Sequence, residues 1–204
     1  SWFSSLENHL LPVFAMERQR GIWEDQYDLK SAIESVNGKK WRPISWDCWQ
    51  PECENNRKKG LCGFDGGKKI KGRKRHILVD HLGLLISGAI SVGNCGDRDG
   101  WRVLLYLSRQ TGRSPEKVWA DYGYHGAEFQ QELKDEGVNL EIVKRRDGKL
   151  FSVEAKRWIV ERTFAWLGKC RRLSKDYELI TTSSLSMIYL AMSRLVVRRI
   201  ACLV

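Results

Sequence analysis

No two cysteines in this chain form a CxxC pair, although six are present, at Cys48, Cys53, Cys62, Cys95, Cys170 and Cys202. Cys/His knuckles with zinc-ligand spacing are missing as well, which argues against the small structural zinc modules. The opening residues, SWFSSLENHLLPVF, lack the basic-then-apolar pattern of a secretion signal. Scattered thiols without such a signal imply reduced cysteines in a cytoplasmic protein. No uninterrupted apolar run is long enough to cross a bilayer. The nearest candidate, Leu185 to Val204, is broken by Arg194, Arg198 and Arg199 and reads as an amphipathic helix, so no membrane partner is expected. Low-complexity stretches and internal repeats are absent too. What remains is a globular chain of 204 residues, enough for one domain with a core, or one domain plus a short helical extension.

Acidic residues are outnumbered. Lys plus Arg is 35 against 25 Asp plus Glu, a formal net charge of +10 with a pI near 9.4. A strongly basic small domain usually meets a polyanion, most often nucleic acid, although a well-solvated basic surface gives the same composition. The positive residues are grouped. Lys68, Lys69, Lys71, Arg73, Lys74 and Arg75 form one cluster, Lys144, Arg145 and Arg146 a second, and Lys169, Arg171, Arg172 and Lys175 a third. Each suits the charge-driven contacts that proteins make with phosphates, and each alone also suits a solvated face.

Hydrophobic periodicity orders the chain. Residues 14–36 read as a helix, with Met16, Ile22, Trp23, Tyr27, Leu29 and Ile33 able to share a face, and Asn37-Gly38 ends it. Residues 37–60 show no clean period. From 68 onward, a basic run leads into a strand, a turn at Asp80-His81-Leu82-Gly83, and a returning strand LLISGAISVG, together a hairpin. Asp97-Arg98-Asp99-Gly100 starts a helix, KVWAD is a short buried strand stopping at Asp121, and a helix follows over 127–136. VNLEIVK is a further strand, and helices cover about 154–172 and 184–202. Strands interleaved with helices predict an α/β fold with a mixed sheet flanked by helices.

Two carboxylates stand out within this order. Asp121 closes an apolar strand, the place where open α/β sheets carry their sites, though an Asp there also starts turns. Glu161 lies in RWIVERTFAWLGKCRRL, where Trp158, Val160, Phe164, Ala165 and Leu167 suggest bulky core residues around it. Arg157 is four residues upstream, the spacing of an ordinary helix ion pair. Carboxylates gathered from separate elements suit hard divalent cations such as Mg²⁺ or Mn²⁺. Two such ions about 4 Å apart activate the nucleophile and stabilise the leaving oxygen of phosphodiester transfer.

Taken together, GKKIKGRKRHILVDHLGLL, DRDG, VWADYGYHG and WIVERTFAWLGKCRRLSKDYE resemble the DDE transposases of the insertion-sequence-five type, within the wider insertion-sequence-four superfamily. The similarity covers about residues 60–200. It implies a ribonuclease H-like mixed sheet, with a first strand ending just before residue 50, and metal-dependent cleavage and transfer of DNA strands at insertion-sequence ends. Asp121 matches the family's second catalytic Asp and Glu161 its catalytic Glu, with two Mg²⁺ or Mn²⁺ ions as cofactors. Double-stranded DNA, as transposon ends and target, is the implied partner, a homodimer is allowed, and the implied location is the cytoplasm at the nucleoid. DNA contacts are expected from Lys68, Lys69, Lys71, Arg73, Lys74, Arg75, Arg145, Arg146, Arg157, Arg162, Lys169, Arg171 and Arg172. Gly168 stands where the superfamily often has Lys, with Lys169 one residue late.

The first catalytic Asp does not fall into place in the same way. The family follows it with Ser-Gln-Ser-Val-Lys-Thr-Thr-Glu. Here the region reads ISWDCWQPECENNRKKG, and Asp47 is the nearest candidate. Codons for Trp49 to Lys58 can be chosen so that reading from the second base gives Gly-Ser-Gln-Ser-Val-Lys-Thr-Thr-Glu. The implied picture is a truncated copy translated out of frame over about residues 37–59, with the family frame resuming by Leu61. The family Asp would then overlap the codons of Trp49 and Gln50, and residues 37–59 would pack poorly. On this reading residues 1–40 are a helical N-terminal remnant and 41–204 the catalytic domain. Three functions remain open: a working transposase using Asp121, Glu161 and Asp47; a catalytically inactive DNA-binding relic; and an interaction module without DNA.

Overall fold

The computed structural model describes residues 43–51, 60–112, 115–143 and 157–202, giving the course of the backbone over 43–51. The helix expected over 14–36 lies outside them. The elements run β1 Pro43–Pro51, β2 Gly63–Asp65, β3 Ile70–Asp80, β4 Leu85–Val92, α1 Asp97–Gln110, β5 Lys117–Ala120, a 3-10 turn Tyr122–Tyr124, α2 Ala127–Asp135, β6 Asn139–Ile142, α3 Arg157–Gly168, a 3-10 turn Arg171–Leu173 and α4 Thr181–Ala201.

The hairpin of β3 and β4 is the spine. Its turn is built by Asp80, whose Oδ1 accepts the amides of Leu82 at 2.9 Å and Leu84 at 2.8 Å. Gly83 supplies the positive φ, +78°, that a side chain would resist. At the other end of β3, Asp65 Oδ1 accepts the amides of Gly67 and Lys68, an Asx turn that returns the short β2 to its partner. Those two amides hold the Asp65 carboxyl below its ordinary range, with the Lys68 amide the larger cause.

β1 pairs antiparallel with β3 along its whole length, from Pro43 opposite Asp80, through Asp47 opposite His76, to Pro51 opposite Gly72. This corrects the expectation of a poorly packed 37–59 segment for residues 43–51, and the strand reaches past residue 50. Residues 37–42 and 52–59 lie outside the described residues. Its two prolines, Pro43 and Pro51, are the first and last residues of the strand, where a missing ladder donor is tolerated. β5 and β6 run parallel, Val118 opposite Leu140 and Ala120 opposite Ile142, with α2 as the crossover. β5 also lies against β1.

Helices cover both faces. On one, Leu78, Ile86, Val118 and Ala120 pack with Trp101, Leu104, Phe129 and Leu133 of α1 and α2. On the other, Ile77, Val79, Leu85 and Trp119 pack with Val160 and Leu167 of α3 and with Ile188, Tyr189 and Met192 of α4. Each fully buried Leu or Ile contributes on the order of 1.5–3 kcal/mol of transfer free energy. Buried polar groups knit the layers: Ser87 Oγ donates to the Leu104 carbonyl at 3.1 Å, and the Tyr189 hydroxyl accepts the Gly88 amide at 3.0 Å. Among the described residues, no helix is long and apolar enough to cross a membrane.

Candidate active site

β5 delivers Asp121. Val118, Trp119 and Ala120 are buried, which fixes the strand, and Asp121 emerges half-buried at its carboxyl end. The Asp121 carbonyl accepts the Tyr124 amide at 3.1 Å, so the chain turns at once into the Tyr122–Tyr124 helical turn. Beneath it, the Trp119 indole donates to Glu141 Oε2 at 2.9 Å, tying β5 to β6. The neighbouring strand β1 carries Asp47 at its middle, in register with His76, where the family resemblance expects a carboxylate at a strand end. His76 is fully buried and bonded to Ser91 Oγ at 2.7 Å.

Glu161 sits on α3, which packs against β1. The helix buries Ile159, Val160, Thr163 and Leu167 and leaves Trp158, Glu161 and Ala165 exposed. The bulky ring expected around Glu161 is therefore a correction: Trp158 and Ala165 share its solvent face, and the core-facing residues lie on the opposite side. The Thr163 hydroxyl shares its one proton between the Gly83 carbonyl at 2.8 Å and that of Ile159 at 3.0 Å, which holds the helix against the β3–β4 turn. Among the described residues, no group of three His, Cys, Asp or Glu side chains lies close enough to hold a metal ion.

The basic residues separate into two populations. Lys68, Lys69, Lys71, Lys169 and Arg171 are exposed, as phosphate contacts require, and so is Arg172, which bonds Glu178 at 2.7 Å. Arg73 and Arg75 are not. They are 5% and 1% exposed, which removes them from any direct contact with DNA. Arg73 donates to the carbonyls of Leu61, Glu178 and Leu179 and pairs with Asp176. Arg75 donates to the Leu173 carbonyl at 2.9 Å. Lys74 is engaged by the Cys95 carbonyl at 2.7 Å and Asp97 at 2.9 Å. Arg162 donates to the Leu82 carbonyl and stacks on Trp158 and Trp166, 4.1 and 4.7 Å from their ring centres. Burial, with Arg199 as a second cause, lowers its guanidinium pKa. Arg73 and Arg75 are structural cations, a second correction, while Lys74 and Arg162 are half-buried and engaged by the protein's own groups. Arg145, Arg146 and the side chain of Arg157 lie outside the described residues.

The sequence reading did not foresee the surroundings of the Asp121 turn. Asp97 Oδ2 approaches Gly123, at 3.7 Å from where its Cβ would stand, and Arg98 donates to the His125 carbonyl at 2.6 Å. A cavity of about 660 Å³ between α3 and α4, lined by Trp166, Lys169, Met192, Arg194 and Arg198 among others, includes neither Asp121 nor Glu161.

The described elements thus make an α/β domain with an acidic residue at a strand end and another on a covering helix. The family model of the transposase DDE domain matches residues 38–196, and the chain belongs to that family. It is also similar to a protein of Burkholderia cepacia named as a transposase for insertion sequence element IS402, at 32% identity over 114 residues, covering 52% of this chain and 54% of that protein. The chain thus matches about half the length of that relative.

Proposed function

We propose that this chain is the catalytic domain of a transposase that cleaves and transfers DNA strands at insertion-sequence ends, with a ribonuclease H-like sheet of the insertion-sequence-five type. The observation that carries this reading is Asp121 at the carboxyl end of β5, beside the strand bearing Asp47, within the span matched by the family. Asp121, Glu161 and Asp47 are the residues that would hold two Mg²⁺ or Mn²⁺ ions. A purely oxygen donor set suits hard divalent cations. When bound, such ions supply nucleophile activation and charge stabilisation at the scissile phosphate. The exposed cations Lys68, Lys69, Lys71, Lys169 and Arg171 contact the DNA backbone and hold the duplex in place, since phosphate contacts position without reading sequence.

Calorimetry with Mn²⁺ tests this on the parent, Asp121→Asn and Asp47→Asn. Weaker binding in both variants supports a working set of carboxylates and predicts Mn²⁺-dependent nicking of supercoiled DNA. Loss with Asp121→Asn alone marks Asp47 as a bystander. The chain would then be an inactive DNA-binding relic.

A further inference from the structure

The Asp97-Arg98-Asp99-Gly100 stretch has no part in the chemistry above. We propose that it is the positioning device of the Asp121 loop, with Arg98 as its central positioning residue; this rests on the reading of Asp121 as a metal-site carboxylate. Each of its four residues meets a different neighbour. Asp97 Oδ1 is bonded to Lys74 of β3 at 2.9 Å, which leaves Oδ2 over Gly123, two residues past Asp121. Arg98 donates to the His125 carbonyl at 2.6 Å, and its guanidinium lies so close to Gly126 that a Cβ there would stand 2.8 Å from Nη2. Asp99 bonds Arg102 at 2.8 Å, and Arg102 in turn grips Glu132 of α2. Gly100 lets α1 sit on the buried His76 ring, where a Cβ would meet Nδ1 at 2.2 Å.

An ordinary helix start does not account for this. Acidic residues in a first turn complement the helix dipole, and Asp97 and Asp99 fit that role. Arg98 does not: a cation in the first turn faces the positive end of the dipole. Its position is explained by the carbonyl it holds. The result is a linkage from β3 through Lys74 and Asp97 to the adjacent Arg98, which holds the loop by the His125 carbonyl. Groups that orient a metal-binding carboxylate without touching the metal commonly change affinity by about 10–100-fold when removed.

The test uses the full chain with Mn²⁺ as probe. Arg98→Ala is expected to weaken Mn²⁺ binding about tenfold and to speed amide exchange at residues 122–126 about as much, with the β3–β4 hairpin unchanged. Arg98→Lys, which keeps one donor, should recover part of both. If Asp121→Asn loses Mn²⁺ binding while Arg98→Ala binds like the parent, the positioning role is overturned, whatever the exchange rates. If Asp121→Asn itself binds Mn²⁺ like the parent, the metal-site reading fails first and takes the positioning role with it.

Discussion

Arg73 and Asp176 form a buried ion pair, 3.2 Å apart and 103 residues apart in sequence. The same guanidinium bonds the carbonyls of Leu61, Glu178 and Leu179. One residue of a basic run therefore fastens the central hairpin to the segment that leads into α4. Its charge is spent inside the protein, which separates stability from the proposed DNA binding along a stretch that reads as uniformly cationic.

Arg73→Met is accordingly expected to cost about 3–5 kcal/mol of stability, because it leaves the Asp176 carboxylate buried without its partner. Urea denaturation measures this. Lys71→Ala, at an exposed position two residues away, should leave the midpoint unchanged and flatten the salt dependence of DNA binding by close to one unit of slope. Equal stability losses in the two variants would contradict the division.

Glu161→Gln removes a carboxylate and keeps the shape of the side chain. Because Glu161 is exposed on α3 and the buried face of the helix is untouched, folding should be unaffected. Mn²⁺-dependent nicking should disappear while binding of duplex DNA stays within about twofold of the parent, a difference under about 0.5 kcal/mol. A parallel loss of both would point to a role in holding DNA and not in the chemistry.

Gly100→Ala places a methyl group into the His76 ring. Overpacking of this kind costs typically 1–3 kcal/mol. The His76 ring is pinned by Ser91 and cannot easily step aside. A thermal melt reports the loss, and a variant as stable as the parent would show that α1 can slide along the sheet.

Tyr189→Phe deletes the acceptor of the Gly88 amide in the middle of β4. An unsatisfied buried donor costs about 1–3 kcal/mol. Exchange at the Gly88 amide should rise selectively, and uniform acceleration across the hairpin would show instead that the whole face loosens.

Much of this arrangement was legible in the sequence. The hairpin, its Asp80–Gly83 turn, the helix from Asp97, the strand ending before Asp121 and the C-terminal helices all carry strong periodic or turn signals, and the structure places them within a few residues. α4 begins three residues earlier than expected, at Thr181, and α3 is regular over Arg157–Gly168. β1 was not legible as a full strand, because Trp46, Trp49 and the flanking prolines hide its pattern. Pairing with β3 decides it, and that is tertiary information. The buried arginines were missed for a different reason. Composition gives the sign of a charge and not its depth. The signal was present, since Arg73 and Arg75 stand in alternation with Ile77 and Val79 and so share their core face. The link between Arg98 and His125 joins residues 27 apart, and no local pattern encodes it.

β3 is a partition with two interiors. Its odd-numbered residues from Arg73 to Val79 serve the α3–α4 side, while Lys74, His76 and Leu78 serve the α1 side. A slip of one residue would exchange the two sets. His76 would be carried away from Ser91 and α1, and Arg73 away from the carbonyls it closes. Neither layer could repair the exchange alone, so this strand tolerates substitution far better than a change in length. The Asp80–Gly83 turn, which sets that length, acts as the molecule's ruler.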